Sequence, residues 1–261
     1  QNENTFYFLF EQVYCKIFNI KEFAYESDED GENLLHYLAR FGSVSMLKFA
    51  LEKLKNEFSP EDLQNFIKLK SKNGYNLLHC AAIQNKDEKS VEFLVNFIEN
   101  EIGSEEVQKN MSKLDKFKCL PFEEFFFEKN KNGDNLLHLA AAFSKSKEVF
   151  EFLWMKIEEL FEDKEELKKF LLVKGQYERN ALLKSIAQQN ENTFYFLFEQ
   201  VYCKIFSIKE FAYESDVRSE NLLHCLARWG SVAMLKVALE KLKNEFSPAE
   251  LQNFIKLKSK Y

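Results

Sequence analysis

Four histidines and five cysteines are the side chains of this 261-residue chain best suited to acid–base, nucleophilic or metal chemistry. All four histidines close one recurring tetrapeptide: Asn33-Leu34-Leu35-His36, Asn76-Leu77-Leu78-His79, Asn135-Leu136-Leu137-His138 and Asn221-Leu222-Leu223-His224. Cys80 and Cys225 directly follow a motif histidine, a pairing that would suit a thiolate–imidazole nucleophile. Adjacent residues on a helix point about 100° apart and do not face each other. The same position holds Tyr37 and Leu139 in the sister motifs, as a packing site would, so a core thiol is the better reading. Cys15 and Cys203 are copies of one position on an apolar helix, and Cys119 stands alone. No pair has the Cys-x-x-Cys spacing of a zinc site. The odd, irregular set fits reduced thiols in an intracellular compartment.

Other constellations are weaker. Ser27-Asp28-Glu29-Asp30-Gly31 is acidic enough for calcium but lacks the twelve-residue ligand spacing of an EF-hand. Its copy, Ser215-Asp216-Val217-Arg218-Ser219, would lose the ligands. Both read as solvated loops. Lys68-Leu69-Lys70-Ser71-Lys72 and its copy at 256–260 read as solvated basic faces. Seven glycines hardly furnish a phosphate-cradling loop, and no Gly-x-Ser-x-Gly elbow occurs. A net charge of −6 argues against nucleic-acid binding, which needs a basic surface. No apolar run approaches the roughly 18 residues of a membrane span. Neither catalysis, metal nor cofactor is expected.

The elements that position these residues follow from composition and repetition. With 46% hydrophobic residues the chain can build a core, and with 7 Gly, 3 Pro and 28 Phe it lacks the turn residues of a many-stranded sandwich or barrel. The expectation is all-α. Residues 1–73 recur at 189–261 with eleven differences, at positions 19, 29, 30, 31, 37, 41, 45, 49, 61, 62 and 73. Inside that period the Asn-Leu-Leu-His tetrapeptide, with Ala181-Leu182-Leu183-Lys184 as a degenerate fourth copy before the last, steps by 43, 59, 46 and 40 residues. Each repeat reads as a polar loop, a short apolar helix such as Leu34–Phe41 or Leu136–Phe143, then a longer amphipathic helix. Met46, Leu47, Ala50, Leu51 and Leu54 make one helical stripe; Val91, Leu94, Val95 and Ile98 make another. A third helix follows, signalled by Ser59-Pro60 as N-cap and first residue and by a capping-box pattern at Asp163–Glu166. No helix pair buries its apolar face alone, so neighbours must stack. The pattern predicts one α-solenoid over 1–261, with repeats at about 1–27 (partial), 28–70, 71–129, 130–175, 176–215 and 216–261 (partial).

The segments Asn73–Ala82 and Asn132–Ala141 resemble the ankyrin repeat, whose signature is Gly, any residue, Thr-Pro-Leu-His, a variable residue and Ala-Ala; here Asn-Leu stands for Thr-Pro. Repeats of 40 to 59 residues exceed the family's roughly 33, the surplus being the third helix. Asn before a helix is an apt N-cap, and the resemblance implies that His36, His79, His138 and His224 tie neighbouring loops together. It further implies that finger tips and the inner-helix ends bind partners: Glu29, Asp30, Arg40 and Phe41; Lys72, Asn73, Ile83 and Gln84; Lys131, Asn132, Ala142 and Phe143; Val217, Arg218, Arg228 and Trp229. Three of four such pairs differ between the two copies, and Phe41 becoming Trp229 enlarges an aromatic of the kind that anchors interfaces.

The expected function is therefore non-catalytic recognition of a protein partner on the concave face, in a scaffold or effector. The alternative is a structural spacer with no specific ligand. Gln1-Asn2-Glu3-Asn4 has neither an initiator Met nor a signal-peptide layout, so the chain reads as a fragment of a longer protein, able to associate head to tail through cut ends. Long Phe- and Lys-rich arrays of this look resemble those of arthropods and their intracellular bacteria, which implies a cytoplasmic setting, or host cytoplasm or nucleus for an effector.

Overall fold

In the computed structural model of the chain, residues 3–14, 19–102 and 122–260 are described. They are mostly helical, no strand occurs among them, and one isolated bridge joins Ser27 and Asn33. The chain is all-α. It divides into two compact units, Gln1–Lys131 and Asn132–Tyr261. Cys15, Cys119 and much of the repeat at 71–129 lie outside the described residues.

In the N-terminal unit, α1 (Glu3–Phe8) passes into a π-helical turn (Leu9–Tyr14). It is followed by α2 (Ile20–Tyr25), α3 (Leu34–Phe41), α4 (Val44–Glu57), α5 (Pro60–Ile67), α6 (Leu77–Gln84), α7 (Glu88–Ile102) and α8 (Glu124–Phe127). Side-chain caps set the starts. Asn33 Oδ1 accepts the His36 N–H at 3.2 Å, Ser43 the Met46 N–H at 3.3 Å, and Ser59 the Asp62 N–H at 3.1 Å with Pro60 first in its helix. Each satisfies one orphan donor, worth about 1 kcal/mol. The short helices α3 and α6 lie side by side, and the amphipathic α4 and α7 pack against them and each other. Helix α6 is buried from Leu77 to Ile83, which its small Ala81 and Ala82 permit by letting backbones approach.

The C-terminal unit repeats the scheme with α9 (Leu136–Phe143), α10 (Lys147–Glu159), α11 (Lys164–Leu171), α12 (Ala181–Ala187) and α13 (Glu191–Tyr195). A second π-helical turn (Phe196–Tyr202) leads to α14 (Cys203–Ile205), α15 (Ile208–Ala212), α16 (Leu222–Trp229), α17 (Val232–Glu245) and α18 (Pro248–Ile255). Asp163 caps α11 by accepting the Glu165 N–H at 2.8 Å, a single bond where the sequence suggested a reciprocal box. Phenylalanines fill the seams: Phe194 stacks on Phe198 at 5.4 Å, and buried Tyr202 donates to the Leu171 carbonyl at 2.5 Å. The π-helical turn recurs at the same place in both copies, though its surroundings differ. Phe196 meets Phe150 at 5.7 Å, whereas its copy Phe8 is 62% exposed.

Candidate functional site

The motif loops are built alike. The residue two before each motif Asn adopts positive φ: Gly31, Gly74, Gly133, Glu178 and Ser219, at 73°, 79°, 85°, 55° and 59°. That left-handed turn brings consecutive loops into register for backbone pairing. Within the N-terminal unit the Lys72 N–H donates to the Asp30 carbonyl at 2.8 Å, and the Lys131 N–H to the Asn73 carbonyl at 3.0 Å. Within the C-terminal unit Val217 donates to Tyr177 at 2.9 Å and Lys260 to Arg218 at 2.9 Å. Glu29, Asp30, Lys72, Asn73, Lys131, Asn132, Val217 and Arg218 all keep exposed positions, while several of their backbones serve the loop stack.

The motif histidines close the same joint. The Asn33 N–H donates to His36 Nδ1 at 3.3 Å, which places the ring proton on Nε2, and Nε2–H donates to the Tyr75 carbonyl at 3.2 Å. His138 does the same to Val173 at 3.0 Å and His224 to Leu257 at 3.0 Å. His79 Nδ1 accepts the Asn76 N–H at 3.2 Å. Burial, only partly offset by the Tyr75 bond, holds His36 below the usual histidine value.

In the repeat without a motif histidine, Asn180 accepts the Leu183 N–H at 3.0 Å, so Leu183 takes the histidine's place, and the next residue, Lys184, enters a buried ion pair. Lys184 Nζ lies 2.5 Å from Asp134 Oδ2, and Asp134 Oδ1 accepts the Gln176 N–H at 2.8 Å. Burial pushes the lysine below its ordinary value against the pull of the carboxylate. In sequence Lys184 reads as the last residue of the degenerate tetrapeptide, but the cap at Asn180 puts Leu183 at the histidine's place and Lys184 one residue on, where the other repeats have Tyr37, Cys80, Leu139 and Cys225.

A second buried network corrects the reading of 215–219 as a solvated loop at Asp216, while Val217 and Arg218 are exposed. Asp216 and Glu220 are both buried. Asp216 Oδ1 accepts the Arg218 and Glu220 N–H groups at 2.9 and 3.1 Å, Arg179 binds Oδ2 at 3.1 Å, and Arg228 pairs with Glu220 at 2.8 Å. Oxygen and sulfur atoms of Asp216, Glu220 and Cys225 lie within 4.8 Å of one another, the spacing a cation would need. Two guanidiniums already supply the positive charge, so the cluster is a structural ion-pair network. In the first copy Tyr37 stands at the Cys225 position and donates to Asp28 at 2.6 Å. Burial pushes Cys80 and Cys225 up to about 12 and Cys203 to about 11, which leaves all three as neutral thiols rather than nucleophiles.

The inner-helix ends divide into two groups. Ile83 and Ala142 are buried, because α6 and α9 are covered on every side, so neither presents a side chain to solvent. Phe143 is half-buried. Arg40, Phe41 and Gln84 come together with Ser43, Asn85, Lys86 and Asp87 around a groove of about 420 Å³ between the ends of α3 and α6. Phe41 is 43% exposed there, and Arg40 is held by an ion pair with Glu32. Trp229 behaves differently from Phe41: Arg179 lies over its ring at 4.4 Å and Arg228 at 5.3 Å, so the indole is half-buried under two cations. Nothing in local sequence linked Arg179 to a residue 50 positions onward.

Fold and site define an all-helical chain whose loop–helix motif recurs with conserved internal joints. No protein-family model matches it, and no curated protein matches it. Among the described residues no helix is long and apolar enough to cross a membrane.

Proposed function

We propose that the chain is an ankyrin-like repeat array, continuous over its repeats, that binds a protein partner and carries out no catalysis. The observation that supports this best is the groove at the ends of α3 and α6, where exposed Phe41 sits between Arg40, Gln84 and Lys86. An aromatic anchor flanked by cationic and amide groups is the composition of protein interfaces. Its two helix ends are tied to each other by Asn85, whose side-chain amide donates to the carbonyls of Ala39 and Gly42, so little ordering entropy is lost on binding. The non-catalytic reading is supported by the employment of the chemical side chains: His36, His138 and His224 donate to carbonyls, and Cys80 and Cys225 stay protonated in the core.

A photo-crosslinking residue placed at Phe41, exposed to cell lysate and read by mass spectrometry, tests the site. The expected result is one saturable protein adduct, competed away by the unmodified chain and absent from the same probe at exposed Glu99 on α7. Adducts that fail to saturate would leave the array a spacer.

A further inference from the structure

The two copies of residues 1–73 make the chain its own control. In the first copy Leu35, Leu47, Leu63 and Ile67 form a closed apolar face on α3, α4 and α5. Their counterparts Leu223, Leu235, Leu251 and Ile255 on α16, α17 and α18 are unchanged among the eleven differences. Every one of the four is more exposed there, most sharply Ile67 at 0% against Ile255 at 58%. The sequence is the same, so the neighbour makes the difference. In the first copy that neighbour is the hairpin α6–α7, which packs on α3, α4 and α5.

The hairpin is also held by polar fittings. Asn85, the residue that ends α6, donates from Nδ2 to the carbonyls of Ala39 at 3.0 Å and Gly42 at 3.3 Å. Gln64 Nε2 donates to the Glu101 carbonyl at 2.7 Å, and Lys55 pairs with the Glu101 carboxylate. The second copy keeps each receiving group, as the carbonyls of Ala227 and Gly230, the amide of Gln252 and the ammonium of Lys243.

We infer that the α16–α17–α18 face is a docking surface for a helical hairpin of the α6–α7 kind. The hairpin has an asparagine closing its first helix, an apolar stripe on its second and a glutamate near the second helix's end. The occupant is a further repeat rather than a second copy of this chain, because a second copy's α6–α7 already sits on its own α3–α5 face. This surface is separate from the groove at Phe41, and either assignment can fail without the other.

Tyr261 corresponds to Asn73, so residues 74–131 appended after Tyr261 restore the register found at the first junction. Amide exchange in α17 and α18 is expected to slow by about tenfold or more in the extended chain, which stays monomeric. Asn→Ala at the appended copy of Asn85, or Ile255→Asp, is expected to undo the slowing. In the parent chain Ile255→Asp leaves the melting temperature in place, because that side chain is already exposed. Exchange in α17 and α18 that ignores the extension overturns the inference. So does a parent-chain dimer that Ile255→Asp dissolves, which would make the occupant a second copy.

Discussion

Lys184 Nζ stands 2.5 Å from Asp134 Oδ2, with both side chains buried, one residue after Leu183, which takes the place that histidine holds in the other four repeats. A motif histidine such as His138 donates forward, to a carbonyl of the next loop; the lysine reaches back, to the loop before its own. The histidine's forward bond is absent from this repeat, and a bond in the opposite direction is made from the next position of the helix.

Breaking that pair leaves a charge buried alone. Lys184→Met is expected to cost about 3–5 kcal/mol, read from the urea midpoint. Adding Asp134→Asn to it keeps an acceptor for the Gln176 N–H and removes the charge, so the double variant should regain more than half of the loss. A Lys184→Met variant as stable as the parent would show that the pair contributes nothing.

Trp229 and Phe41 occupy copies of one position yet should respond differently. Trp229 lies under Arg179 and Arg228, whereas Phe41 has Arg40 at 6.0 Å and the Tyr37 ring at 6.3 Å. Trp229→Ala is expected to cost about 2–3 kcal/mol through lost packing and cation–π contact. Phe41→Ala should cost under about 1 kcal/mol, as an exposed residue does. Equal shifts in thermal denaturation would contradict the geometry.

The folded state holds His36 below its ordinary value of 6.5, chiefly through burial. The unfolded chain therefore takes a proton that the folded ring resists. Its contribution is complete above about pH 6.5 and declines as the pH falls below it. Denaturant midpoints measured between pH 7.5 and 5.5 should fall with acid, and His36→Gln should flatten part of that slope.

Ser219 holds the left-handed turn at φ 59° where the first copy has Gly31 at 73°. Ser219→Gly is expected to raise stability by about 0.5–1 kcal/mol by relieving that conformation. Gly31→Ala should lower it, since the added Cβ would also stand 2.9 Å from the Lys72 nitrogen. Melting temperatures moving the same way in both variants would count against this account.

The sequence by itself determined the all-α class, the helix starts and the loop motif. Asn33, Asn76, Asn135 and Asn221 each cap a helix that begins at the following Leu. These are local matters, decided by side chains within four residues of the backbone groups they satisfy. His36 as a joint residue was legible only through the resemblance to the ankyrin repeat, and the structure supplies its bond to the Tyr75 carbonyl. The π-helical turns at Leu9–Tyr14 and Phe196–Tyr202 escaped it, since a π turn and an α turn share the same apolar pattern. So did the burial of Asp216, where an acidic loop reads as solvated until Arg179, 37 residues earlier, is brought beside it. The clearest limit is the pair Ile67 and Ile255. Their surrounding sequences are nearly identical, yet one is sealed and the other open. Burial belongs to the neighbour that tertiary packing supplies, and no periodicity within a helix reports whether that neighbour is there.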